Sequence, residues 1–354
     1  MAIVVVGAGA IGLLIAGRLA QSGQRTVVLA RPAVAAALEQ HCLRIVEDSE
    51  RQVIDGLVVI TDPSALAPQD RHPELAIVCV KGYDTTGAIP ALEALQPEFV
   101  LTMQNGIGNE ELIAEQIGAD RVISGAITTS VEVDAPGQIE VAKSGGIGIA
   151  PMRPVAQVAA QRAAMALRGA GFGVRIFVDY RAMKWSKALL NLLGNATAAI
   201  LDMPVADVYA DRRLVALERQ AFLEGLAVMD RLSIKPMNLP HYPAALLAIA
   251  MRRIPPVLLY PLLRRFVAGG RGKKPPSLQL DLVRGNARSE GAFLYGAVAQ
   301  AAQAAGIAAP TNRALWDTLQ SIASGAVAWD RFRRQPELLI AAAAQQKAVD
   351  RRNT

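Results

Sequence analysis

Hydrophobic positions in the first half of the chain form short apolar runs, separated by segments with helical spacing. The runs lie at 2–6, 26–30, 75–80, 99–103 and 121–127, with a further candidate at 174–178. Continuous apolar runs of this length are typical of parallel strands buried on both faces. Their alternation with helical segments predicts a doubly wound α/β sheet up to about residue 180. A glycine-rich stretch at 135–148 predicts a hairpin of short strands that closes this domain.

Beyond residue 180 the strand pattern stops and apolar residues recur at helical spacing. Helices are predicted over 181–201, 211–232, 291–305 and 312–324. We therefore predict two domains, a doubly wound α/β domain over residues 1–179 and an all-helical domain over residues 180–354. Prolines, apolar residues and basic pairs fill the segment 236–276. Helices packed on the domain are favoured there over an amphipathic element at a membrane surface.

The first apolar run ends in a glycine-rich turn, which a helix and a second apolar run follow. The turn reads Gly7-Ala8-Gly9-Ala10-Ile11-Gly12. In such a turn the first glycine permits the tight bend, the second lets the backbone approach a pyrophosphate, and the third allows close packing of helix on strand. The helix N-terminus adds free N–H groups and the positive end of its dipole. The pattern predicts a Rossmann-type dinucleotide site.

The end of the second apolar run discriminates between the two nicotinamide dinucleotides. NAD enzymes place an acidic residue there to bind the ribose 2′-hydroxyl, whereas this chain has Ala30 and Arg31. An arginine can bind a 2′-phosphate, and we expect no carboxylate beside it that would repel one. NADPH is therefore the expected cofactor. The alternative is that Arg31 is a solvated surface charge.

Polar residues follow two other predicted strands. Lys81 comes after the run 75–80, and Asn105 comes after the run 99–103. Because ligands of parallel sheets bind beyond the carboxyl ends of the strands, we expect both residues to meet cofactor or substrate. A solvated lysine and an Asn-Gly turn are the alternatives.

A second group of polar residues opens the predicted helical domain. Lys187, Asn191 and Asn195 are spaced i, i+4 and i+8 in apolar surroundings, so one continuous helix would carry all three on one face. Hydride delivery to a carbonyl builds negative charge on its oxygen, which requires a proton donor. We predict that Lys187 donates this proton and that the asparagines bind the substrate's oxygens. The alternative is a lysine whose charged end reaches the surface.

Composition narrows the function further. Hydrophobic residues make up 52% of the chain and charged residues 19%, which fits a globular protein, and no apolar run is long enough to span a bilayer. The net charge of +6 comes from scattered basic residues, and no nucleic-acid motif accompanies it. The two cysteines have neither metal nor redox spacing. We expect a cytoplasmic enzyme with a small-molecule substrate, and no metal, nucleic acid or membrane as partner.

The combination resembles the ketopantoate reductases, NADPH-dependent enzymes that reduce 2-dehydropantoate to pantoate on the route to pantothenate and coenzyme A. The likeness extends through nearly the whole chain. It rests on the glycine turn, the Lys81 loop, Gln104-Asn105-Gly106, Trp185-Ser186-Lys187 with the two asparagines, Pro276-Ser277 and Ser289-Glu290.

The resemblance implies a role for each of these residues. It implies Lys187 as the proton donor, and Asn191, Asn195 and Ser277 as substrate ligands, with Ser277 binding the carboxylate. Asn105 would lie between cofactor and substrate, and Lys81 near the cofactor. Glu290 would meet the substrate hydroxyl or the cofactor edge and balance the charge of Lys187.

Two positions depart from the family's usual pattern. Tyr295 and Lys274 stand where an asparagine is common, and one extra residue separates Asp281 from Glu290. A changed pocket volume or charge would shift substrate preference. The alternatives are therefore an NADPH-dependent reductase of another branched 2-keto acid or imine, and a non-catalytic NADPH-binding regulator. A homodimer is one option for the assembly.

Overall fold

The computed structural model describes residues 2–268 and 275–353. The chain divides into two compact units, Met1–Lys184 with Leu239–Tyr242, and Trp185–Asn238 with Pro243–Thr354. The sequence analysis puts the domain boundary after residue 179. The division between the units falls after Lys184, inside a helix, and it assigns four later residues to the first unit.

The strands of the first unit are β1 Ile3–Val6, β2 Thr26–Leu29, β3 Leu43–Glu47, β4 Glu50–Ile54, β5 Val58–Ile60, β6 Leu75–Val78, β7 Phe99–Thr102, β8 Val122–Ile127, β9 Ser130–Ala135, β10 Gln138–Lys143, β11 Ile147–Pro151 and β12 Val174–Ile176. They form an eight-stranded sheet of order β12-β11-β8-β7-β6-β1-β2-β5 and a four-stranded sheet of order β4-β3-β10-β9. In the larger sheet β11 is antiparallel to β8, and the other neighbours are parallel. The chain order reverses between β1 and β6, which is where such sheets bind their ligands.

Both faces of the larger sheet are buried. Successive residues of a strand point to opposite sides, and alternate residues of β1 accordingly belong to two separate hydrophobic clusters. Each face carries helices, which are Ala10–Gln21, Pro32–His41 and Gln157–Gly169 on one side and Thr85–Leu95 and Asn109–Ile117 on the other. Burial on both faces explains why the strands are continuously apolar. The predicted doubly wound α/β class is confirmed.

The smaller sheet differs from its prediction. Strands β9 and β10 form a hairpin around Gly137, whose φ of +76° suits glycine. The hairpin spans residues 130–143 instead of the predicted 135–148, because residues 147–151 form β11, which pairs with β8 in the larger sheet. The sequence analysis also missed β3, β4 and β5. Strand β4 is mostly exposed, so it has no apolar run to reveal it.

The regular elements of the second unit, in the part that the structure describes, are helical, as predicted. They are the later part of Tyr180–Asn191, Ala196–Leu201, Val205–Val208, Arg212–Arg231, Ala244–Arg253, Pro256–Leu263, the π-helix Arg264–Ala268, Ser277–Val283, the 3₁₀ turn Glu290–Phe293, Tyr295–Ala304, Pro310–Ala323, the 3₁₀ turn Trp329–Arg331 and Pro336–Asn353. The long helix Arg212–Arg231 contacts several of the others, including Ala244–Arg253 and Pro256–Leu263 of the proline-rich segment. In its described part, these two helices of the segment therefore pack on the unit.

Two further observations concern the sequence predictions. Among residues 2–268 and 275–353, no helix combines the length and the apolar character that a membrane span needs. Lys274, one of the two departures from the family pattern, lies outside the described residues.

The prediction of one continuous helix over 181–201 is wrong. The first helix ends at Asn191 and the next begins at Ala196. Between them Gly194 has a φ of +60°, in the left-handed region that favours glycine. A side chain at that position would also clash, because its Cβ would lie 2.8 Å from a methyl carbon of Val205. Because of this break, Asn195 lies outside the helix that carries Lys187 and Asn191.

Candidate functional site

The glycine turn after β1 has a geometry that requires glycine. Gly7 has a φ of +106°, and a Cβ added to Gly12 would lie 1.9 Å from the Gly7 carbonyl oxygen. Nothing lies within 4 Å of the corresponding position at Gly9, so the backbone is open there. The first helical hydrogen bond runs from Leu13 N to Gly9 O at 2.9 Å, leaving the preceding N–H groups without an acceptor in the helix. Open backbone and unpaired donors fit a pyrophosphate.

Arg31 lies two residues after the end of β2 with an 81% exposed side chain, and its Nη2 is 2.8 Å from Asp84 Oδ2. The expectation that no carboxylate stands beside Arg31 is therefore wrong. Asp84 is distant in the sequence, but it follows β6, and parallel strands bring their carboxyl ends to one edge of the sheet. Exposed ion pairs contribute only about 0–1 kcal/mol, so this one is a weak competitor for a bound anion.

A buried glutamine joins the loops that follow β6 and β7. Gln104 Nε2 donates to Thr85 Oγ1 at 2.7 Å and approaches the Lys81 carbonyl oxygen at 3.5 Å. Thr102 Oγ1 donates to Gln104 Oε1 at 2.9 Å. The structure thus brings the backbones at Lys81 and Asn105 to one edge of the sheet, as expected from the topology. Gln104 was named from the sequence only as part of the resemblance, without a role, and Thr85 was not named.

Asn105 itself is half-buried in the loop after β7. Its carbonyl oxygen accepts a hydrogen bond from Asn109 Nδ2 at 2.9 Å, and Gly106 follows with a φ of +88°. Lys81 is half-buried as well. Both predicted residues therefore keep an accessible part in a loop whose backbone is fixed by buried side chains.

In the second unit, Lys187 and Asn191 share a helix and are half-buried, whereas Asn195 is 4% exposed and lies just before the next helix. The predicted single face is therefore wrong for Asn195. Its Nδ2 donates to Asn191 O at 3.2 Å, and its Oδ1 accepts from Leu278 N at 3.4 Å. Asn195 thus connects the helix break to the start of the helix that carries Ser277, which is exposed.

Side chains from distant positions support the break. Gly194 N donates to both carboxylate oxygens of Glu218, at 2.8 and 3.0 Å, and Tyr209 also donates to Glu218. Tyr295 has a fully buried side chain, and its hydroxyl donates to Leu192 O at 2.9 Å while accepting from Ala196 N at 3.0 Å. A helix end leaves such backbone groups without partners. Tyr295 therefore hydrogen-bonds the backbone on both sides of the break. The family's usual asparagine at this position did not indicate that role.

Glu290 is 4% exposed and begins a 3₁₀ turn. The preceding Ser289 stabilises that turn, because its Oγ accepts a hydrogen bond from Gly291 N at 3.1 Å. A carboxylate in such a buried place needs partners of its own. The predicted site residues of the second unit thus comprise two half-buried, two buried and one exposed side chain.

A glycine-turn α/β unit followed by a helical unit defines a two-domain dinucleotide-binding protein. Two family models identify it further: "Ketopantoate reductase PanE/ApbA" matches residues 3–154, and the corresponding C-terminal model matches residues 179–323. Together the matches span more than half of the chain. The chain belongs to the ketopantoate reductase family, and it is an oxidoreductase that acts on a keto group with a nicotinamide cofactor.

Individual relatives agree with this family. The 2-dehydropantoate 2-reductase of Halobacterium salinarum is 29% identical over 336 residues, covering 90% of this chain and 98% of the relative. The enzyme of the same name from Pyrococcus abyssi is 26% identical, covering 90% and 97%. A PanE/ApbA family ketopantoate reductase structure from Ralstonia eutropha JMP134 has a TM-score of 0.77 at 26% identity, covering 92% and 99%. D-mandelate dehydrogenase with NADH shares the fold at 19% identity and a TM-score of 0.77, covering 92% and 99%.

Proposed function

We propose that this protein is an NADPH-dependent 2-dehydropantoate 2-reductase, which reduces the keto group of its substrate to the hydroxyl of pantoate. The observation that carries the proposal is the match to relatives of that name along 90% of the chain. A nicotinamide in its reduced form supplies the hydride. The proposed setting is pantothenate synthesis for coenzyme A in the cytoplasm, with the protein as a homodimer, which sedimentation of the purified protein tests.

The first unit supplies the proposed cofactor residues. The backbone of the turn Gly7–Gly12 would bind the pyrophosphate through N–H groups and the helix dipole. Arg31 would bind the 2′-phosphate of NADPH, in competition with its present partner Asp84. Lys81 and Asn105 would bind near the nicotinamide end. The open backbone at Gly9 supports the pyrophosphate site. The position of the Lys81 and Asn105 loops at one edge of the sheet supports their proposed role near the cofactor.

The second unit supplies the proposed proton and substrate ligands. As the carbonyl carbon receives the hydride, its oxygen gains negative charge, and Lys187 Nζ would give it a proton. Asn191, Asn195 and Ser277 would bind the substrate, Ser277 at the carboxylate. Glu290 would contact the substrate hydroxyl or the cofactor, and its negative charge would keep Lys187 protonated before transfer. The half-buried position of Lys187 supports this role, because the residue keeps part of its surface accessible.

One observation favours a second candidate. Tyr295 stands where an asparagine is common in the family, and its hydroxyl binds the backbone of Leu192 and Ala196 on the two sides of Asn195. The second candidate is therefore an NADPH-dependent reductase of another branched 2-keto acid or imine. NADPH oxidation with a panel of such compounds distinguishes the two. Binding of NADPH without turnover of any panel member would support the non-catalytic regulator.

The variant Lys187→Ala tests the proposed mechanism. We expect kcat for 2-dehydropantoate to fall by about 10²- to 10⁴-fold, the usual contribution of a positioned proton donor, while NADPH binding stays unchanged. The exposed Lys235→Ala, in the same unit, is the matched control and should retain wild-type turnover. Unchanged kcat in Lys187→Ala would reject this lysine as the donor.

A further inference from the structure

The first unit contains a buried ion pair to which the function described above gives no role. Lys184 is 4% exposed and Glu110 1% exposed, and Nζ lies 3.1 Å from Oε1. Ser124 Oγ, also buried, donates to the same carboxylate oxygen at 2.7 Å. Removing two charges from water is costly, and a hydrophobic pair of the same size is often equally stable. The pair therefore calls for an explanation beyond stability.

The lysine's other hydrogen bonds supply that explanation. Lys184 Nζ donates to the Gln104 carbonyl oxygen at 2.6 Å and approaches Gly125 O at 3.4 Å. An ammonium group has three donors, so the carboxylate and these two carbonyls account for all of them. Gln104 is the residue immediately before Asn105. The buried ammonium group of Lys184 therefore binds the backbone of the loop that contains Asn105, the residue proposed to contact cofactor and substrate.

The consequence for Asn105 follows from peptide geometry. A trans peptide is planar, so fixing the Gln104 carbonyl direction also fixes the opposite direction of the Asn105 N–H. The next carbonyl, that of Asn105, is held by Asn109 Nδ2 at 2.9 Å. Two successive carbonyls are therefore held by buried side chains, and the φ of Asn105 between them has little freedom. The chain then turns sharply at Gly106, whose φ is +88°.

We propose that Lys184, paired with the Glu110 carboxylate that Ser124 also binds, is a positioning residue that fixes the Gln104–Asn105 peptide and so presents Asn105 to cofactor and substrate. The proposal rests on the proposed function of Asn105. The charged pair serves this purpose better than an apolar one, because the lysine ammonium can donate to a carboxylate and two carbonyl oxygens at once, whereas an apolar side chain can bind none of them. A misplacement of about 1 Å in such a loop is enough to slow catalysis about a hundredfold.

The test compares the whole protein with a paired variant. Lys184→Met alone would leave Glu110 as an unpaired buried charge and destabilise the fold. The variant Lys184→Met/Glu110→Gln removes both charges, and the new amide oxygen still accepts from Ser124. The matched control is Arg25→Met/Asp70→Asn, which removes another ion pair of this unit whose carboxylate is 1% exposed.

Two readouts separate positioning from general stability. The first is amide hydrogen exchange of residues 103–109, which should accelerate about tenfold in the paired variant and not in the control. The second is kcat/KM, which should fall about ten- to a hundredfold. On an Asn105→Ala background the same paired change should lower kcat/KM by no more than about twofold, because the group that it positions is gone.

Unchanged exchange in residues 103–109 would overturn the proposal, and so would losses of kcat/KM that multiply fully with Asn105→Ala. These outcomes differ from a failure of the proposed function. In that case the wild-type protein reduces no 2-keto acid, and the exchange measurement still decides whether Lys184 fixes the loop.

Discussion

Replacing Tyr295 by phenylalanine removes one hydroxyl group from the interior of the second unit. That hydroxyl donates to Leu192 O at 2.9 Å and accepts from Ala196 N at 3.0 Å, on the two sides of the helix break. The tyrosine side chain has no solvent exposure, and both backbone neighbours are buried. Tyr295→Phe therefore leaves a carbonyl and an N–H group buried without these partners.

The size of the effect follows from the two lost bonds. An unsatisfied buried polar group costs about 1–3 kcal/mol, so the two together should lower the free energy of unfolding by about 2–6 kcal/mol. For a unit of this size such a loss lowers Tm by about 4–24 °C. The ring volume is unchanged, so cavity formation adds little. Because the break carries Asn195, kcat/KM for the substrate should fall as well.

Urea and thermal unfolding followed by circular dichroism measure this loss, with kcat/KM taken below the transition. The matched control is Tyr260→Phe, since Tyr260 is half-buried and its hydroxyl makes no hydrogen bond within the described residues. The control should change the free energy of unfolding by less than about 0.5 kcal/mol. An equally small change in Tyr295→Phe would refute the role of Tyr295 at the break.

Four other substitutions test the first unit. Arg31→Asp should weaken NADPH binding about ten- to a hundredfold and NADH binding little, because only NADPH carries the 2′-phosphate, and equal effects in fluorescence titrations would contradict the NADPH assignment. Asp84→Asn should instead tighten NADPH binding, since it removes the carboxylate that pairs with the arginine. The Arg25 guanidinium lowers the pKa of Asp70 below its usual value of about 3.9. The pair's stabilisation is therefore complete above about pH 5 and disappears as the pH falls through the lowered pKa, so urea midpoints of wild type and Asp70→Asn should converge in acid, and a constant difference would contradict this. Gly12→Ala should abolish NADPH binding in the same titration, because the added Cβ would lie 1.9 Å from a carbonyl oxygen of the turn, and wild-type affinity would contradict the close packing.

The α/β fold could be predicted because burial on both faces leaves a clear signal. The strands of the larger sheet that lie between two neighbours are largely apolar, and all six predicted runs became strands. The signal fails where a strand is exposed, as in β4, whose side chains are mostly in water. Helical spacing likewise could not reveal the break after Asn191. The groups that stabilise it, Glu218 and Tyr295, are distant in the sequence and enter only through tertiary packing.

In the candidate site, too, only the features with a local sequence pattern could be predicted. Residue types at the strand ends indicated where a dinucleotide would bind, and the geometry of Gly7 and Gly12 fits that prediction. The partners of these residues were not predictable, because they come from other strands. Asp84 beside Arg31 and Lys184 behind the loop of Asn105 are both products of the sheet order. The two residues of each pair are far apart in the sequence, so no local pattern indicates that they are neighbours.

The most direct test of the central claim is the stoichiometry of the reaction. Purified protein is incubated with NADPH and 2-dehydropantoate, the cofactor is followed by absorbance, and the product is identified by mass spectrometry, with an NADH reaction alongside. The account predicts one pantoate formed for each NADPH oxidised and much slower oxidation of NADH. NADPH that binds and is never oxidised, with 2-dehydropantoate recovered unchanged, would contradict it.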